Sequence, residues 1–162
     1  MKHLLLSLLI SAFTTGQIFS QEKNSPTTPP DPAIKKAVEH YFAVWSDADM
    51  AAYKACFHHD AIIMMLTSQG TLQRGTLDPF VEGQRQQHAA ATVPLKEKPT
   101  HIQITQRGNY AAAVVFWELY KGMETSTGVD IFSYIQVETK SETGETKKQW
   151  LIASLVFGVQ SL

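Results

Sequence analysis

From residue 100 onward the chain alternates long apolar-rich runs with short links, and this pattern restricts the fold more than any other feature. The runs are THIQITQ (100–106), YAAAVVFWELY (110–120), GVDIFSYIQVE (128–138) and QWLIASLVFGV (149–159). Their connections are Arg107-Gly108-Asn109, a loop around Gly122 and the polar SETGETK segment. A parallel crossover normally carries a dozen or more residues, usually as a helix, so these strands are expected to be antiparallel neighbours. Pro94 and Pro99 mark the switch from helical to strand periodicity.

The half before that switch reads as helices around one hairpin. Asp31-Pro32 supplies an N-cap and a first-turn proline, after which Ile34, Val38, Tyr41 or Phe42, and Trp45 recur at helical spacing. SDAD from Ser46 breaks this helix, and Asp49 can cap a second, MAAYKACF, with Met50, Tyr53 and Phe57 on one face. Asp60-AIIMMLT is a buried strand that Ser68-Gln-Gly70 turns into TLQR. Thr76 or Asp78 then caps a third helix, LDPFVEGQRQQHAAAT, which is polar after Val81. Helices followed by a meander, with no repeat and no internal linker, form one α+β domain.

Lys2 and His3 precede a predominantly apolar run of ten residues, Leu4 to Phe13, and then small and polar ones. That is the layout of a secretory signal peptide, expected over residues 1–20 with cleavage near Ser20 or Gly16, and it is too short to span a bilayer. Residues 21–31, QEKNSPTTPPD, read as a flexible leader, and the domain occupies 32–162. The expected location is therefore secreted or periplasmic. A formal charge of −1, from 14 basic and 15 acidic side chains, offers no footprint for nucleic acid. The single cysteine, Cys56, cannot form an intrachain disulfide and reads as a small buried hydrophobe.

The order helix, helix, hairpin, helix, then long antiparallel strands resembles the nuclear transport factor 2-like superfamily, in particular its SnoaL-like and ketosteroid isomerase-like members. The phrase WSDADMAAYKACFHHDAIIM resembles the family's paired helices leading into a strand opened by Asp-Ala, here Asp60-Ala61. QRG before the third helix and QWLI at the last strand resemble further family landmarks. The resemblance covers the whole chain after the leader. It implies a cone-shaped α+β roll, with three N-terminal helices packed on a strongly curved antiparallel sheet around a pocket. It also implies a homodimer through the sheet face, where Phe132 and Tyr134, with Trp117 as a further candidate, make the outer surface too apolar for solvent.

Setting Asp60-Ala61 on the family's Asp-Ala places the helix-one tyrosine at Tyr41, the isomerase base at Met65 and the second acid at Ser133. Methionine accepts no proton, so that particular mechanism is expected to be absent. The same match turns Val129, Ile131, Ile135 and Val137 inward and sends Asp130 outward with Phe132 and Tyr134. A register pairing Tyr120 with Gly128 would instead set Glu118 opposite Asp130, and close carboxylates raise one pKa. Glu118 alone remains a candidate for the cone, since the parity of its strand is open.

Phe80, Gln84 and His88 share a helix face, so His88 either borders the cavity or stands in solvent. Tyr41 and Trp45 make a similar pair, and Met65, Phe116, Leu155 and Phe157 would complete an apolar lining. The catalytic candidates are Tyr41, His88 and Glu118. In His58-His59-Asp60 only His58 and Asp60 are expected to converge, too few for a closed metal site, so neither metal nor cofactor is expected. The functional expectation is an exported domain binding a small apolar or amphipathic molecule. The alternatives are an isomerase-, cyclase- or dehydratase-type enzyme and a structural dimerisation domain.

Overall fold

The computed structural model describes residues 29–67, 69–140 and 145–160; the expected signal peptide and most of the leader lie outside these described residues. Helix α1 (Pro32–Ser46) starts as its sequence dictates, with the Asp31 carboxylate accepting from the Ala33 amide at 2.9 Å and Pro32 filling the first turn. Its inward stripe is Ile34, Val38, Tyr41, Phe42 and Trp45. Asp49 caps α2 (Met50–Ala55) by accepting from the Ala52 amide at 3.0 Å. Helix α3 (Leu77–Ala90) follows Thr76 and buries only Leu77 and Val81, as its polar composition requires.

The strands are β1 (Phe57–Leu66), β2 (Leu72–Thr76), β3 (Leu95–Arg107), β4 (Tyr110–Lys121), β5 (Glu124–Lys140) and β6 (Thr146–Gln160). They form one curved, open sheet in the order β2-β1-β6-β5-β4-β3, with the helices on its inner face. This is the α+β roll expected from the sequence. The meander is antiparallel throughout, whereas β1 runs parallel to β6, which makes the whole sheet mixed. Strand β3 begins at Leu95, directly after Pro94 but ahead of Pro99 and of the expected start at Thr100. Pro99 is tolerated because β3 is an edge strand and shifts register between Pro99 and His101.

The parity of β5 is the reverse of the sequence expectation. Asp130, Phe132 and Tyr134 face the helices, and Ile131 and Ser133 face out. Side chains alternate with a period of two, so placing one residue places the whole strand. The rings of Phe132 and Tyr134 are fully buried beneath α1, with Phe132 against Tyr41 at 5.0 Å, and fill that layer better than Ile131 and Ser133. In β4, Val115, Trp117 and Leu119 point inward and Phe116 and Glu118 outward. The outer face is indeed apolar, but it is built from Met64, Val114, Phe116, Val129, Ile131 and Val156 rather than from Phe132, Tyr134 and Trp117.

Candidate functional site

Inside the roll, α1, α3 and the inner faces of β3 to β6 enclose a cavity of about 80 Å³. Tyr41 and Trp45 reach it from α1, Phe80, Gln84 and Gln87 from α3, and Phe157 from β6. Trp45 is fixed by donating its indole N–H to the Gln84 side-chain oxygen at 2.8 Å, which ties α1 to α3 across the mouth. The remaining wall holds the polar chemistry: Glu97 of β3, Trp117 of β4, Asp130 of β5 and Tyr53 of α2.

Asp130 is 3% exposed, the one buried charged or polar side chain among the described residues. Burial pushes its carboxyl up to about 7, although Trp117 and Tyr41 both favour the charged form. The Trp117 indole donates to Asp130 Oδ1 at 2.7 Å. Glu97 is also raised well above the usual carboxylate range, first by burial and then by the charge of Asp130. Both acids therefore hold their protons to higher pH than an exposed carboxyl does, Asp130 through burial and Glu97 through burial and the charge of Asp130. A neutral carboxyl both donates and accepts, so this end of the cavity offers a paired donor and acceptor.

Local sequence explains how the acids are held. Trp117 faces Gly128 across the β4–β5 ladder, and a Cβ at Gly128 would lie 2.1 Å from Trp117 Cζ2. The missing side chain lets the indole lie flat across β5 and reach Asp130. Glu97 is clamped by the last residue of α1: the Ser46 hydroxyl donates to Glu97 O at 3.0 Å and accepts from Glu97 N at 2.8 Å. The Tyr53 hydroxyl donates to that of Tyr41 at 2.8 Å, and burial raises both phenols far above their ordinary range. Both therefore act as neutral hydrogen-bonding groups.

Of the residues singled out in the sequence, Tyr41, Trp45, Phe80, Gln84 and Phe157 meet at this cavity. The others lie elsewhere. Phe116, Glu118 and Ser133 are on the outer face, with Phe116 45% exposed and Glu118 accepting from the Tyr120 hydroxyl. Met65 shares the parity of Phe157 but is 37% exposed toward the sheet edge, and Leu155 is sealed in the core. His88 packs edge-on against Trp45 at 4.4 Å, behind the cavity wall. Its Nε2 is buried without a partner among the described residues, and burial, aided by Lys96, lowers its pKa.

Glu118 does not meet Asp130 because the observed register pairs Tyr120 with Thr125 and Val115 with Asp130. The residues that sequence reasoning left out of the site are Tyr53, Gln87, Glu97, Trp117, Leu119 and Asp130. Gly128 opposite Trp117 was the available signal for two of them.

His58, His59 and Asp60 also differ from expectation. The β1–β6 register shifts between Phe57 and Ile62, and this bulge brings ligand atoms of all three residues within 4.8 Å of one another. They are engaged among themselves, with Asp60 N donating to His58 Nδ1 at 3.3 Å and His59 Nε2 2.9 Å from Asp60 Oδ2.

Residues 30–157 match the model of a family described as "Putative lumazine-binding". No curated protein matches the chain. Among solved structures, the chain is similar to a nuclear transport factor 2-like protein of unknown function from Shewanella oneidensis MR-1, with 17% identity over 78% of this chain and 97% of that one and a TM-score of 0.56. A ketosteroid isomerase-like protein from Erwinia carotovora atroseptica SCRI1043 shares 14% identity over 81% and 96%, with a TM-score of 0.55. A cystatin-like-fold protein of unknown function from Nostoc punctiforme PCC 73102 shares 10% over 80% and 90%, with a TM-score of 0.59. At these identities the likeness is one of fold.

Proposed function

The chain belongs to this lumazine-binding-like family of the nuclear transport factor 2-like fold, and we propose that it is an exported domain whose roll binds a small, flat, amphipathic molecule with aromatic faces and a hydrogen-bonding edge. The observation that carries this reading is the pair Asp130 and Glu97 in the wall of a largely aromatic cavity. A protonated carboxyl presents a donor beside an acceptor, which complements the adjacent N–H and C=O of a lactam ring. Lumazine, a fused bicyclic dione, has such an edge, and the aromatic rings of Tyr41, Trp45 and Phe80 suit its faces. A cavity of about 80 Å³ takes that edge, while the remainder of the ligand lies toward Gln84 and Gln87.

The outer sheet face supports a homodimer in the same proposal. Phe116 and Ile131 are each 45% exposed, and Val114, Val129 and Val156 extend the patch, which two copies can cover symmetrically. A second reading, acid–base catalysis of the isomerase, cyclase or dehydratase type, is favoured by one observation: Asp130, at about 7, matches what a general acid or base needs near neutral pH. In that reading Asp130 and Glu97, rather than His88 and Glu118, move the proton beside Tyr41.

Titration with lumazine, followed by its fluorescence and by that of the cavity tryptophans, tests binding. Saturable quenching that Asp130→Asn and Glu97→Gln each weaken at least tenfold is the expected result. Quenching that ignores both substitutions would sink the proposal.

A further inference from the structure

A second cavity, of about 390 Å³, lies between α1, α2 and the start of β6. It falls within the range of small-molecule sites, about 300–1,000 Å³. The buried Phe132 ring separates it from the first cavity, standing 5.0 Å from Tyr41 on one side and 5.7 Å from Tyr134 on the other. Alanines create the space: Ala33 and Ala37 on α1 and Ala52 and Ala55 on α2 leave a trough walled by Trp150.

Tyr134 lines this trough, is 1% exposed, and its hydroxyl has no partner among the described residues. Buried phenols nearly always find one. The neighbouring polar groups are already engaged, since Trp150 Nε1 donates to Asp31 Oδ2 at 3.0 Å and the Cys56 thiol to Ala52 O at 3.4 Å. The rim is cationic, with Lys36, Lys147 and Lys148 beside His40. Lys148 pairs with Glu138 at 3.2 Å, and Asp31 is held by Trp150 and Ala33, whereas Lys36 and Lys147 have no ion pair among the described residues.

We propose that this trough is a second ligand site, specific for an amphipathic carboxylic acid that bears a hydroxyl or carbonyl oxygen at the end remote from its carboxylate. The carboxylate lies at the rim by Lys36 and Lys147, the apolar body covers the alanines and Trp150, and the far oxygen completes the Tyr134 hydroxyl. Each part of the site reads one part of the ligand, so each is tested separately.

Isothermal titration of the purified protein with 10-hydroxydecanoate, decanoate and decanol makes that test. The hydroxy acid is expected to bind saturably and about fivefold more tightly than decanoate, the yield of one net hydrogen bond. Tyr134→Phe should erase that preference. Charge reversal at the exposed rim, Lys36→Glu or Lys147→Glu, should weaken both acids about tenfold or more, and Ala37→Phe should fill the trough and abolish binding.

Asp130→Asn, in the other cavity, should leave these affinities unchanged. If Ala37→Phe does not fold, the exposed Lys147→Glu variant decides the matter. Absence of saturable binding at millimolar acid, binding of decanol as tight as that of decanoate, indifference to rim charge, or loss of binding with Asp130→Asn would each overturn the proposal.

Discussion

Replacing Asp130 with asparagine isolates what burial does to the carboxyl at the cavity end. In the folded protein this group titrates at about 7, against an ordinary value of 3.8. Between those pH values the folded state holds a proton that the unfolded chain has released. Its contribution to stability is therefore complete below about pH 4 and lost as the pH rises through 7. A gap of about three pH units at about 1.4 kcal/mol each amounts to about 4 kcal/mol.

Asparagine cannot ionise but keeps an oxygen to accept from the Trp117 indole. The variant is thus expected to match the parent within about 1 kcal/mol at pH 4.5 and to exceed its stability by up to about 4 kcal/mol at pH 8. Glu97 titrates in both proteins, at lower pH in the variant because the repulsion of Asp130 is gone. Urea unfolding followed by circular dichroism from pH 4.5 to 8.5 supplies the two curves. Parallel curves, or a variant less stable than the parent at pH 8, would refute the reasoning.

Gly128→Ala sets a methyl group against the Trp117 indole and should cost about 1–3 kcal/mol while shifting tryptophan fluorescence, both read in one urea titration. Tyr53→Phe removes the donor to Tyr41 and should cost about 1 kcal/mol by the same assay. Asp31→Ala removes a helix cap and the acceptor of Trp150 Nε1, so a loss of about 1–2 kcal/mol in thermal or chemical unfolding is expected. If the outer apolar face joins two copies as proposed, Ile131→Lys puts a charge in the middle of it, and sedimentation velocity should show a dimeric parent and a monomeric variant.

The features legible in the sequence are those set by neighbouring residues. Asp31-Pro32 and Asp49 announce their helices because a cap acts on amides two or three positions away. Gly108 and Gly122, both at positive φ, mark the turns that fix the meander. The site was harder to read because it depends on which way a strand faces. In β5 both faces are apolar, Val129, Ile131 and Ile135 on one and Phe132 and Tyr134 on the other, so hydrophobicity alone does not choose between them. The choice is made by the volume beneath α1, and Asp130 follows from it. Glu97 was hidden for a different reason: KEKP reads as a loop until Ser46 is seen to grip its backbone.

The single parallel contact in the sheet has a consequence for the order in which the chain folds. The meander from β3 to β6 joins strands adjacent in sequence, whereas β1 pairs Ile63 with Leu155 and has only the short β2 on its other side. Contacts at that separation close late, because the loop entropy is met before they form. During synthesis α1 can dock on β3 through Ser46 and Glu97, but the β1–β2 hairpin has no sheet to join until β6 is made. The last strand of the sheet to be made is thus the one that recruits the first, and the acid-lined cavity, with Phe157 of β6 in its wall, is complete only at that step.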